Sequence, residues 1–205
     1  MDLSHPADDL VGRNTSRVLQ RLAMVPDGLT GRRLSELSGV PLGSTQRVLA
    51  RLETVGLAAV RRAGRANLYS LNRDHVLWPG FERMLAAPVL VEHLIGDTVR
   101  QFAGETTAAA VYGSFARGEA VPDSDLDVLL VWGDAVDERA QEQTLSALHD
   151  RVGAATGNNV EIVDLSLVGL NRLVRADDPL VASWRREART VSAGPDIRAL
   201  IRSVA

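Results

Sequence analysis

The apolar positions of the chain follow a helical period first, and strand-like runs alternate with helices afterwards. Val18, Leu19, Leu22 and Val25 fall on one helical stripe, and Pro26-Asp27-Gly28 ends it. A second helix is predicted over 30–37, with Leu34 and Leu37 inward, and residues 38–42 form a tight turn. A third follows with Val48, Leu49, Leu52 and Val55 on one face, closed by Gly56. The runs 57–61 and 67–71 then read as strands, joined by residues 62–66 with Gly64 into a hairpin. Residues 1–10, with three Asp, a His and a Pro, read as a loose tail. Beyond a linker with a short helix at 76–87, Pro88 opens a helix over 89–102. Strand candidates at 106–112, 126–132 and 159–165 alternate with helices over 135–155, 167–174, 180–189 and 197–203. Such alternation predicts an α/β domain.

A length of 205 residues suits two small domains. The expected division is 1–75, the linker 76–87, and 88–205. The 45% hydrophobic content is ordinary for a globular chain, and the lack of cysteine excludes disulfides and thiolate metal sites. No apolar run approaches the ~18 residues of a membrane span, and the polar N-terminus has no signal-peptide core, so a cytoplasmic protein without membrane contact is expected. The net charge of −3 divides unevenly. Residues 1–75 hold 11 Arg against 7 Asp/Glu, whereas residues 76–205 hold 12 against 19. A basic front and an acidic rear imply different partners. Every basic side chain is Arg, so no lysine serves as phosphate ligand or base.

The chemistry concentrates in one stretch. Gly113-Ser114 stands where a strand gives way to a short helix, a junction whose free N–H groups suit a phosphate. Ten residues later come Asp125 and Asp127, two apart at the start of an apolar strand and therefore on one face. Two close carboxylates repel, and a hard divalent cation, Mg²⁺ or Mn²⁺, relieves that repulsion while bridging to substrate phosphates. The competing reading is a helix cap plus a solvated acidic turn. His5, His75, His93 and His149 are scattered without metal-ligand spacing.

Gly113-Ser114, ten residues, then Asp125-x-Asp127 resembles the signature of polymerase-β-like nucleotidyltransferases. Gly-Ser-Phe-Ala-Arg-Gly followed by Ser-Asp-Leu-Asp is similar to the minimal members, which include antitoxins of toxin–antitoxin pairs. The resemblance covers residues 89–190 and implies a mixed sheet with C-terminal helices. It also implies a nucleoside triphosphate substrate, ATP by preference, held by Gly113 and Ser114. Asp125 and Asp127 would be catalytic and metal-binding, joined by a third carboxylate from a later strand. Glu161 fits that place best; Asp164 has the opposite parity and suits a helix cap. Arg117, one turn after Ser114, would pair with the triphosphate or with Glu119 or Asp123. Trp184-Arg185-Arg186-Glu187 resembles the family's C-terminal Arg-Glu helix and reads as structural.

Three helices and a hairpin across 13–73 resemble the winged helix-turn-helix of MarR- and ArsR-type regulators. That resemblance implies duplex DNA contacts from Ser44, Thr45, Gln46, Arg47 and Arg51 on the third helix and from Arg61, Arg62 and Arg65 in the wing. The alternative is a solvated basic face on a module for dimerisation or protein contact. Taken together, the expectation is an α+β front domain and an α/β rear domain in a homodimer. The activity expected is transfer of a nucleoside monophosphate to a protein or RNA hydroxyl, a cognate toxin being one such partner. The rival expectations are a DNA-binding regulator that only senses nucleotide, and an adenylyltransferase acting on a small molecule such as an aminoglycoside.

Overall fold

The computed structural model describes residues 1–204 as a mixed α/β chain with two sheets. It divides into two compact units: His5–Ala87, and Met1–Ser4 together with the residues from Pro88 onward.

In the front unit a single turn, α1 (Asp8–Val11), precedes α2 (Arg13–Ala23), β1 (Leu29–Thr30), α3 (Gly31–Ser38) and α4 (Leu42–Thr54). The hairpin β2 (Ala58–Ala63) and β3 (Ala66–Leu71) follows, then α5 (Trp78–Leu85). The Thr30 hydroxyl caps α3 by accepting from Arg33 N at 3.2 Å. Val18, Leu19 and Leu22 of α2 meet Leu34, Val48, Leu49 and Leu52 in one core. Each such side chain contributes roughly 1.5–3 kcal/mol when fully buried. The hairpin closes on Gly64-Arg65, with Gly64 at φ 61°. β1 pairs with β3, giving the sheet order β1-β3-β2.

Several expectations need correction here. The strands run to the hairpin tip, and β1 is too short to show a period. Leu37 and Val55 are exposed at 36% and 51%; Val55 is the C-cap residue, past the last turn of α4. The short helix expected within 76–87 is α5, and its Trp78 and Phe81 are buried in the front core rather than left on the surface. The first residues are no loose tail. Leu3 is buried in the rear core, the Met1 ammonium donates to Asn158 Oδ1 (3.1 Å), and Ser4 Oγ accepts from Ala120 N (2.8 Å).

The rear unit contains α6 (Ala87–Ala103), β4 (Ala108–Val111), α7 (Gly113–Arg117), β5 (Leu126–Trp132) and α8 (Glu138–Thr156). It continues with β6 (Val160–Ser166), α9 (Leu167–Arg175), α10 (Pro179–Glu187), β7 (Arg189–Thr190) and α11 (Ile197–Ser203). The sheet order is β6-β5-β4-β7, with β5 parallel to β6 and the other pairs antiparallel. β4 is apolar at every position, and β5 at every position but Asp127, because both faces are covered. Leu126, Val128, Leu130 and Trp132 pack with α6 and α8, and Leu129 and Val131 with α9, α10 and α11. The alternating parity of β5 thus assigns each residue to one layer. Among the described residues, no helix is long and apolar enough to cross a membrane.

Candidate functional site

The carboxylates of the rear unit gather where the parallel pair β5–β6 begins. Asp127 stands opposite Glu161 in the register, and neighbours in register on adjacent strands share a face. That face also holds Leu129 and Val131, so Asp127 and Glu161 lie at the end of the layer covered by α9–α11. Asp125 precedes the strand with the same parity as Asp127, and its Oδ1 accepts from Asn159 Nδ2 at 3.2 Å. Asp164 points to the opposite layer, where its Oδ2 accepts from Trp132 Nε1 at 2.9 Å. The cap of α9 is Ser166, which accepts from Gly169 N at 3.1 Å, so the capping role expected of Asp164 falls to Ser166.

Electrostatics mark the cluster. Asp127 is half-buried, and desolvation, then the charges of Glu161 and Asp125, hold its carboxyl above the usual range. Tyr112, buried beside it, has its phenol pushed up to about 12, by burial first and then by Asp127 and Glu161. Among the described residues no ion pair neutralises Asp125, Asp127 or Glu161. The donor set, all carboxylate oxygen, suits a hard divalent cation in kind. Yet no three acidic or histidine side chains among the described residues converge closely enough to enclose an ion alone. A cation held there needs oxygens from a ligand as well, as Mg²⁺ at phosphate sites commonly does.

Gly113 forms the other wall. It opens α7 at φ 68°, and a Cβ at this position would collide with the Asp127 carboxylate. Conformation and space both require glycine here. Ser114 follows, half-exposed, in the first turn of α7. Arg117, for which phosphate and a neighbouring carboxylate were both open, is engaged by two carboxylates: Nε donates to Glu119 (2.7 Å) and Nη1 to Glu187 (2.8 Å). Glu119 was among the anticipated partners, whereas Asp123 is not engaged. Glu187 was missed as a partner because it lies on α10, seventy residues away. Burial alone would raise its carboxyl; hydrogen bonds from Ser183 and Arg117 and the charges of Arg117 and Arg186 outweigh this and hold it low. The Trp-Arg-Arg-Glu run was the available signal: Trp184 is fully buried and Glu187 ties α10 to α7.

In the front unit, Gln46, Arg47 and Arg51 are exposed on α4, and Ser44 is half-exposed. Thr45 is fully buried, and its hydroxyl donates to Val40 O at 3.1 Å, so it closes the turn before α4 and cannot reach a ligand. This corrects its assignment to DNA contact. Arg61 and Arg62 are exposed on β2 and Arg65 at the hairpin tip.

Residues 97–175 match the family described as polymerase beta, nucleotidyltransferase. No curated protein matches the chain in sequence. Among solved structures, a toxin–antitoxin complex with AMP-PNP is similar at 18% identity and TM-score 0.37, over 55% of this chain and 82% of that one. A mutant of the MntA-HpeT toxin–antitoxin is similar at 15% and 0.36, over the same shares. TrmBL2, an archaeal chromatin protein described as showing a novel mode of DNA binding, is similar at 18% and 0.28, over 84% of this chain and 71% of that one. Scores this low do not establish a shared fold.

Proposed function

With a polymerase beta nucleotidyltransferase domain at residues 97–175 as the premise, we propose that the protein moves a nucleoside monophosphate from a triphosphate, ATP by preference, to a hydroxyl of a protein or RNA. The observation that carries this reading is the alignment of Asp127 with Glu161 across β5–β6, beside a glycine whose missing side chain makes room for the Asp127 carboxylate. Gly113 and Ser114 bind the triphosphate. Asp125 and Asp127 would hold Mg²⁺ or Mn²⁺, with Glu161 beside them. Such an ion, when bound, supplies charge neutralisation along the phosphates. The acceptor oxygen attacks the α-phosphorus, the bond to pyrophosphate breaks, and a carboxylate takes the acceptor proton, for which Glu161 is the candidate. Arg117 then has an indirect role: its bonds to Glu119 and Glu187 brace α7 behind Gly113-Ser114. Positioning and electrostatics supply most of the acceleration.

The front unit is proposed as a winged helix-turn-helix that binds duplex DNA, with α4 as the recognition helix and the β2–β3 hairpin as the wing. Three exposed arginines on the hairpin support this. Triphosphate labelled at the α- or the γ-position, added with Mg²⁺ to a lysate of the source cells, tests the activity. Only the α-label should enter a macromolecule, and Asp125→Asn with Asp127→Asn should abolish it. Equal labelling by that double variant overturns the site. Label confined to a small molecule would favour an adenylyltransferase of the aminoglycoside type, and metal-dependent binding without transfer would favour a sensor.

A further inference from the structure

The front unit has an open cavity of about 500 Å³ between the first turn of α2 and the outer face of α4. Arg13 lines it from α2, and Arg47 and Arg51 line it from α4. The latter two are four residues apart, so they project from one face of the helix. No carboxylate lines the cavity, and among the described residues none pairs with any of the three arginines. Their polar partners are neutral hydroxyls: Arg51 Nη2 donates to Thr15 Oγ1 (2.6 Å) and Arg47 Nη2 to Ser44 Oγ (3.0 Å). Elsewhere in this unit Arg17, Arg33 and Arg73 each face an acidic residue. Three guanidiniums share one concavity without a counter-charge, and most of their donor groups remain free.

We propose that this cavity is a phosphate-binding site. Guanidinium forks match phosphate oxygens in geometry and charge, and three of them on facing walls surround such a group rather than touch it from one side. Uncapped amides at the start of α2, where Gly12 offers no side-chain acceptor, add the same sign of potential. The phosphate comes either from a DNA backbone or from a free phosphorylated molecule. The first source rests on the winged-helix reading; phosphate binding itself does not. The site also changes what Arg47 and Arg51 do in that reading. They hold the backbone instead of reading base edges, which leaves Gln46 as the base-reading side chain of α4.

The test uses the full-length protein and the variants Arg13→Ala, Arg47→Ala and Arg51→Ala. Arg33→Ala, outside the cavity, serves as the control. Thermal unfolding is followed with inorganic phosphate against chloride at equal ionic strength, in EDTA so that no metal bridges phosphate to the rear unit. The affinity for the protein's own upstream duplex and for a random duplex is then titrated at several salt concentrations. A backbone source predicts that each cavity variant weakens both duplexes equally and lowers the salt slope by about one unit, while Arg33→Ala does neither. A free source predicts a phosphate-specific rise in Tm, lost in each cavity variant, with duplex binding unchanged. If no duplex binds but that rise is present, the DNA reading fails and the phosphate site stands. Absence of both responses overturns the proposal, as does relaxed sequence preference in Arg47→Ala at an unchanged salt slope.

Discussion

Gly113→Ala separates the geometric requirement at the site from ordinary backbone strain, because the same helix has a glycine at each end. Gly113 and Gly118 have φ values of 68° and 73°. An alanine at either position pays the left-handed penalty, about 1–2 kcal/mol. For a unit of this size that lowers Tm by roughly 3–10 °C. Around Gly118 a Cβ meets nothing within 4 Å, whereas at Gly113 it runs into the Asp127 carboxylate. The Asp127 backbone is held on both sides, its O accepting from Tyr112 N at 3.1 Å and its residue registering with Glu161 on β6, so the side chain is what must give way. The carboxylate therefore shifts by an amount on the order of 1 Å, and misplacement of that size costs about 10²-fold in rate. The measurement is the initial rate of α-label transfer together with Tm for both variants. Gly118→Ala should lose stability and keep the rate within a few-fold of wild type. Gly113→Ala should lose at least as much stability and about 10²-fold in rate. If the two variants transfer at the same rate, Gly113 does not act through Asp127, and the site as described is wrong.

Glu161→Gln should reduce transfer far more than Asp164→Asn, whose partner is Trp132; the reverse result in folded proteins would reassign the third carboxylate. Asp127→Asn should raise Tm in metal-free buffer at neutral pH. A carboxyl whose folded pKa is raised destabilises the fold increasingly as pH climbs from the unfolded toward the folded value, so the gain should vanish in acid, and a variant no more stable than wild type at neutral pH would refute it. Glu187 has the opposite sign: with its folded pKa depressed, its stabilisation is complete above the usual carboxylate range and is lost as pH falls through the folded value. Glu187→Gln should therefore flatten the acid limb of the Tm profile, and an unchanged limb would refute the role of the Arg117 pair. A homodimer is expected on light scattering, and a monomer throughout the micromolar range would count against it.

The legible parts of the fold were those whose cause is local. Val18, Leu19 and Leu22 announce α2 through spacing alone, and the run Leu126–Trp132 announces β5 because both its faces are covered. β1 and β7 were not legible: two residues display no period, and each exists only because a partner strand, β3 or β4, supplies its hydrogen bonds. Thr45 was misread for a related reason. Near the start of a recognition-type helix a hydroxyl suits base contact, but residue 45 lies on the side of α4 that turns back toward Val40 O. One helical position, about 100° of rotation, separates it from exposed Gln46.

The site divides along the same line. Strand parity links Asp125, Asp127 and Glu161 without any knowledge of the third dimension, because a period of two leaves each residue only two faces to choose from. Arg117 has no such constraint. It sits at the end of a five-residue helix, its side chain is long, and the sequence offers Glu119 and Asp123 within six positions. What decides its state is Glu187, placed by α10, whose Trp184 is docked in the core beside Tyr112. A nearly buried carboxylate is costly unless paired, so Glu187 requires Arg117 more than the exposed Glu119 does. The arginine is thereby committed to bracing α7, and in the proposed reaction phosphate recognition at Gly113-Ser114 would fall to the backbone and the Ser114 hydroxyl.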